Sequence, residues 1–196
     1  MAHLRLGFLA SHNGSNMQAI IDACNNGILD ATPCVVISNN SSSGALIRAR
    51  NEGIPAYHIS SKTHYDEETA IIDALLENSV DILILAGYMK IVRKRTIRFM
   101  KGKILNIHPA LLPNYGGKGM YGMKVHEAVI AAKEKVSGAT VHLVDTRYDH
   151  GKILNQKIIK VHPGDTPEQL EAKILQIEHI LYTETLIKIS NGEILL

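Results

Sequence analysis

Short apolar runs alternate with stretches of helical periodicity along the first hundred residues, and this alternation restricts the chain to a small set of folds. Residues 4–10, 34–38, 80–86 and 104–107 are compact apolar runs, with a weaker one at 56–59. Between them, residues 15–26, 44–52, 65–77 and a basic stretch from 90 to 101 have the length and spacing of helices. Strands separated by helices of this length predict βαβ units and a mainly parallel sheet. Right-handed crossovers then put helices on both faces. The predicted architecture is α/β: an open, mostly parallel, twisted sheet with helices on both faces.

After Pro113 the pattern changes. Residues 116–122 form a glycine-rich loop, and 123–133 read as a helix. Residues 140–144 and 152–161 read as two extended segments around a turn at Asp149-His150-Gly151. The last helix has a clear start: Thr166 as N-cap, Pro167 at the first helical position, and Gln169 completing a capping box. Leu170, Ile174, Ile177 and Leu181 then make one apolar stripe. With 196 residues, 45% of them hydrophobic, and no repeat or linker, the chain is expected to be one domain over 1–196.

Charge and composition narrow the function classes. A net charge of +2 gives no global bias towards nucleic acid or acidic lipid. The absence of Trp and an aromatic content of 5% argue against a stacking platform for single strands. No apolar run approaches the roughly 18 residues of a membrane span, and no signal peptide is evident. Cys24 and Cys34 fall in a predicted helix and strand, as expected of free thiols in a reducing cytoplasm. A cytoplasmic protein with small-molecule ligands and no nucleic-acid or membrane partner is therefore expected.

The densest site signal is Asn106-Ile-His-Pro-Ala-Leu-Leu-Pro113. Asn106 and His108 are two residues apart, so on an extended backbone both side chains point to one face. Pro109 biases His108 towards extended angles. The pair falls at a strand end, where open α/β sheets bind ligands. An amide there can donate to a developing oxyanion and an imidazole can move a proton. Asp149 becomes a partner only if the fold brings it to His108, where a carboxylate favours imidazolium; otherwise it is a turn former.

Three further segments stand beside this pair. Asn13-Gly14-Ser15-Asn16 follows the first strand, where a helix N-terminus can take a phosphate; the alternative is Ser15 as a plain N-cap with Gln18 as its partner. It lacks the glycine spacing of a dinucleotide fingerprint. Leu85-Ala-Gly-Tyr-Met89-Lys90-Ile91-Val92 is a strand end whose small residues admit a flat ligand, or an ordinary βα loop. On a helix, Lys90, Arg93, Lys94, Arg98 and Lys101 would share a basic face, read as solvated or as steering an anionic small molecule. The ten histidines show no His-Glu-x-x-His or paired-Cys spacing, so no metal is expected.

Over nearly its whole length the chain resembles the phosphoribosylglycinamide formyltransferases, folate-dependent enzymes of purine synthesis with a Rossmann-like fold. The segment 106–113 looks like the family's signature. Gly14-Ser15-Asn16 resembles its substrate-phosphate turn, Leu85–Val92 its folate loop, Asp149-x-Gly151 its catalytic aspartate, and Glu178-His179 its substrate-contacting glutamate. The resemblance implies Asn106, His108 and Asp149 as catalytic, and Gly14, Ser15, Asn16 and Glu178 as substrate-binding. It implies Lys62, Met89, Lys90, Ile91, Val92 and Asn106 on the side of 10-formyltetrahydrofolate, the co-substrate. It divides the domain into a nucleotide-binding half (about 1–100) and a catalytic, folate-binding half (about 101–196), as a monomer or homodimer. The implied reaction is formyl transfer to the amine of glycinamide ribonucleotide in de novo purine biosynthesis. Three departures are visible: His12 stands where many members have glycine, Lys62 replaces an arginine, losing bidentate geometry, and the 116–122 loop is longer and richer in glycine than the common version. The short tail after the last helix leads us to expect no anticodon-recognising or regulatory domain. Two alternatives remain at this point: a formyltransferase acting on another amine such as an amino sugar, and a non-catalytic nucleotide-binding module.

Overall fold

A computed structural model describes residues 3–196. Seven strands form one sheet: β1 (Leu4–Ala10), β2 (Ala31–Ser38), β3 (Ala56–His58), β4 (Ile82–Leu85), β5 (Ile104–His108), β6 (Val136–Leu143) and β7 (Ile153–Lys160). Their order is β3-β2-β1-β4-β5-β6-β7. The first five pair in parallel, and β6 and β7 add antiparallel on the β5 side. The chain builds outwards from β1 to β3, returns to the other side of β1 with β4, and so leaves a switch point between β1 and β4.

Among the described residues six helices cover the faces: α1 (Ser15–Asn25), α2 (Gly44–Asn51), α3 (Glu67–Glu77), α4 (Lys94–Phe99), α5 (Met123–Ala131) and α6 (Pro167–Ser190). The period of two in the strands sorts the core. Leu6, Phe8, Ile82, Ile84 and Leu105 join a cluster with α1, α2 and α6, while Leu9, Leu83, Leu85 and Ile104 join one with α3. Gly7 faces α3 at close range, where an added Cβ would touch Val80 and Leu75 at 3.0–3.1 Å. The predicted architecture is the one observed.

Several boundaries differ, for identifiable reasons. α3 starts at Glu67, not 65, because Asp66 is its N-cap and accepts from the N–H groups of Glu68 and Thr69. α5 ends at Ala131, and Lys133 turns the chain with φ +54°. β6 begins at Val136 rather than 140 because β7 pairs with it along its whole length. Gly138 allows that pairing: a Cβ there would collide with the Lys157 carbonyl and Leu111. Gly138→Ala should therefore cost about 3 kcal/mol of stability through forced strand separation. Urea unfolding checks this, and a midpoint equal to wild type would show that the strands can part without cost.

The basic helix is the largest correction. Only Lys94–Phe99 is helical, and residues 90–93 are irregular. The buried carboxylate of Glu68, on α3, accepts from Thr96 N at 2.9 Å and so caps α4 from another element. Lys90 and Arg93 reach Glu67 at 3.0 and 3.9 Å, which breaks up the predicted basic face.

The capping box of α6 forms as predicted. Leu170, Ile174 and Leu181 are buried and Ile177 is partly so. The helix also buries Tyr182, whose hydroxyl donates to the Leu105 carbonyl at 2.9 Å and lies 3.3 Å from that of Leu85. It thereby braces the ends of β4 and β5, just before Asn106.

Candidate active site

A cavity of about 940 Å³ opens at the carboxyl ends of the central strands. Its walls are the loop after β4, the end of β5, the glycine loop, the segment before β7 and one side of α6. Met89, Ile91, Tyr121 and Tyr148 expose apolar surface around it, a lining suited to a flat, largely apolar ligand.

Asn106 and His108 both line this cavity, as their two-residue spacing on β5 predicts. The segment that follows is anchored from β6. Thr140 Oγ1 donates to the Ala110 carbonyl and accepts from Leu112 N, and Gln156 holds both Thr140 and the Leu112 carbonyl.

Asp149 does reach the histidine. Its Oδ2 lies 3.6 Å from His108 Nδ1, and its carboxylate is 13% exposed. The turn that delivers it is exacting: Asp149 has φ +52°, and a Cβ at Gly151 would run into the Leu143 carbonyl. Aspartate tolerates the left-handed region better than most side chains.

The residues just after Pro113 close the arrangement. The Tyr115 carbonyl accepts from His108 Nε2 at 2.8 Å, and Gly117 N donates to Asp149 Oδ2 at 2.9 Å. A carbonyl accepts only, so Nε2 carries a hydrogen and Nδ1 is the nitrogen turned towards Asp149. Gly116, between them, has no room for a Cβ beside Leu112. The Tyr115 hydroxyl donates to Glu134 at 2.7 Å and tethers the segment beyond the end of α5. Tyr115→Phe should cost about 1 kcal/mol of stability and lower kcat several-fold by loosening both contacts. Steady-state kinetics with thermal unfolding tests this; an unchanged kcat would mean that the tether does not position the pair.

His142 is a site residue that sequence reasoning missed. It sits opposite Asn106 in the β5/β6 register and is 2% exposed. Its Nδ1 donates to the Leu143 carbonyl at 2.8 Å, so in the neutral ring Nε2 accepts from Asn106 Nδ2 at 3.1 Å. Burial, more than any neighbour, holds its pKa below the ordinary histidine range. His142 therefore orients the Asn106 amide and leaves that nitrogen's second hydrogen for a ligand. His126 on α5 also lines the cavity, and burial and then the proximity of His108 lower its pKa. No local motif marks either residue; only strand register and the placement of α5 bring them in.

The nucleotide side is arranged differently from the capping prediction. Gly14 is the N-cap of α1, in the left-handed region with φ +72°, and Ser15 is already helical. Gln18 instead bonds Asp22 and Glu52. The cause is tertiary: α2 passes so close that a Cβ on Gly14 would sit 2.8 Å from Ala45 Cβ. With no side-chain cap and no acidic residue in the first turn, the amides of α1 are left for an anion. Of this turn, Asn16 reaches the cavity wall. Its Nδ2 donates to Glu178 Oε2 at 2.8 Å, while its Oδ1 is buried without a partner. Glu178 occupies the apolar stripe of α6, and burial pushes its carboxyl up to about 7. The Asn16 bond pulls it part-way back. Of the folate-side residues, Met89, Lys90, Ile91 and Val92 line the cavity, whereas Lys62 is exposed in the loop after β3 and is not part of its wall.

Residues 4–186 match the family described as formyl transferase. The chain belongs to that family. A protein of Vigna unguiculata named phosphoribosylglycinamide formyltransferase, chloroplastic, is 43% identical over 185 residues, covering 92% of this chain. This chain spans 59% of that relative's length. The phosphoribosylglycinamide formyltransferase of Haemophilus influenzae is 37% identical over 181 residues, covering 91% of this chain and 83% of its own. The crystal structure of glycinamide ribonucleotide transformylase 1 from Symbiobacterium toebii has a TM-score of 0.92 at 34% identity, covering 100% of this chain and 92% of its own. The mostly parallel seven-stranded sheet is thus the fold of that solved structure. Among the described residues no helix is long and apolar enough to cross a membrane.

Proposed function

We propose that this family member transfers the formyl group of 10-formyltetrahydrofolate to the amine of glycinamide ribonucleotide, a step of de novo purine biosynthesis. The observation that carries the reading is the convergence of Asn106 and His108 with Asp149, which lies 41 residues beyond His108 in sequence, on one cavity wall. The names and identities of the relatives support the same choice of substrates.

In the reaction the amine nitrogen bonds to the formyl carbon, the bond from that carbon to the folate nitrogen breaks, and one proton passes from amine to folate nitrogen. Negative charge collects on the formyl oxygen on the way. The free hydrogen of Asn106 Nδ2 stabilises that charge, and preorganised donors of this kind are worth about 3 kcal/mol each. His108, held through Nε2 by Tyr115, uses Nδ1 to share the proton with Asp149 and the reacting groups. Holding two reactants in one cleft supplies much of the remaining acceleration.

The residues fit the ligands. The amides of Gly14, Ser15 and Asn16 take the phosphate. Asn16 Oδ1, an acceptor without a partner, and the Glu178 carboxylate take ribose hydroxyls, which can donate to both. Met89 to Val92 take the folate ring system through their backbone. Lys62, away from the cavity, is left with at most a peripheral role towards the folate tail. The free thiols of Cys24 and Cys34 fit a cytoplasmic setting.

A panel of amine acceptors, offered with 10-formyltetrahydrofolate, tests the substrate assignment. Glycinamide ribonucleotide should give turnover, and amino sugars should give none. Preferential turnover of an amino sugar would move the acceptor class and leave the chemistry in place.

A further inference from the structure

Ser11 lies at the switch point between β1 and β4, is 3% exposed, and belongs to neither ligand segment assigned above. It joins three loops. Its backbone N–H donates to the Gly87 carbonyl at 3.1 Å, continuing the β1/β4 pairing into the folate-side loop. Its hydroxyl accepts from Met89 N at 2.8 Å and donates to Asn39 Oδ1, in the loop after β2, at 2.6 Å. Its carbonyl lies 3.4 Å from Asn40 Nδ2. The next residues of the same chain are the phosphate turn, itself fastened to α2: Ala45 N donates to the His12 carbonyl and Arg48 Nε to that of Asn13.

The hydroxyl thus acts once as acceptor and once as donor in a relay from Met89 N–H to Asn39, where each bond strengthens the other. Met89 opens the folate-side segment, and Ser11 is three residues from Gly14. Neither loop can shift without straining this relay. The loop after β4 is the softer partner, since residues 89–93 are irregular and Met89 and Ile91 are 48% and 57% exposed.

We propose that Ser11 is a positioning residue that couples the two ligand subsites: its hydroxyl fixes the folate-side loop in register with the phosphate turn, so filling either side orders the other. The coupling rests on the ligand assignments of the proposed function. Coupling of this kind is reciprocal, and couplings between sites are commonly about five-fold or more.

The test uses the whole chain with glycinamide ribonucleotide and tetrahydrofolate, which carries no formyl group, so that a ternary complex forms without turnover. In wild type, saturating either ligand should tighten the other by about five-fold or more in calorimetry. Ser11→Ala should bring that factor close to one, and Ser11→Thr, which keeps the hydroxyl, should retain it. Asn39→Ala removes the other end of the relay from a loop position, and it should weaken the coupling even if Ser11→Ala fails to fold. Full coupling in the variants that lack the hydroxyl or its acceptor would overturn the proposal. So would equal losses in the Ala and Thr variants of Ser11, because the hydroxyl would then be irrelevant. Independent binding in a wild-type enzyme that still transfers formyl would sink the Ser11 role alone. Absence of transfer by wild type would instead remove the ligand assignments beneath it.

Discussion

Asp149→Asn should lower kcat by roughly 10²–10⁴-fold, the range expected when a positioned acid–base group is lost, while leaving nucleotide affinity nearly unchanged. The amide keeps the shape of the carboxylate and can still accept from Gly117 N, so the turn should survive. What disappears is the charge 3.6 Å from His108 Nδ1. His108→Ala should fall in the same range, and the double variant should lose little more than the worse single one, because the two residues act as a unit. Steady-state kinetics on the three variants, with calorimetry for the nucleotide, measures this. Additive losses, or a loss confined to KM, would remove Asp149 and His108 from the proton-transfer step.

A second large effect is expected at Glu178, and it depends on pH. Burial raises this carboxyl from an ordinary 4.5 to about 7. Below pH 4.5 the side chain is protonated in folded and unfolded chains alike. Between pH 4.5 and 7 the unfolded chain has released its proton and the folded one has not, so stability falls as pH rises. Above 7 the full penalty is present, on the order of 3 kcal/mol for a shift of this size. Glu178→Gln has no proton to lose and should escape this penalty. Its stability relative to wild type should therefore rise by about 3 kcal/mol between pH 4.5 and 8, while its nucleotide affinity falls. Urea unfolding across that window reads the difference. A constant difference would show that Glu178 ionises in the folded chain at its ordinary pKa. A carboxylate that costs stability when ionised is what the proposed role of Glu178 towards a ligand hydroxyl requires.

The sheet was legible because each buried strand is a short apolar run and the helices between them keep one apolar stripe. Asn106 and His108 were legible for a local reason, two residues apart on an extended segment beside a proline. What the sequence left open depended on contacts between distant segments. Asp149 reaches His108 through a left-handed turn that a collision at Gly151 makes specific to glycine. His142 enters through the β5/β6 register alone. α1 starts at Ser15 as its periodicity predicts, but the alternative of Ser15 as its cap fails: capping rules weigh side chains, whereas the close passage of α2 puts Gly14 at the N-cap. The basic helix was overextended because its cap, Glu68, is supplied from α3, twenty-eight residues away.

Formyl transfer can be observed by mixing the purified chain with glycinamide ribonucleotide and 10-formyltetrahydrofolate and following both products by mass spectrometry. Formylglycinamide ribonucleotide and tetrahydrofolate should appear in equal amounts, with no product from the Asp149→Asn variant on the same time scale. Formate and tetrahydrofolate without formylated nucleotide, or no consumption of the folate at all, would contradict it.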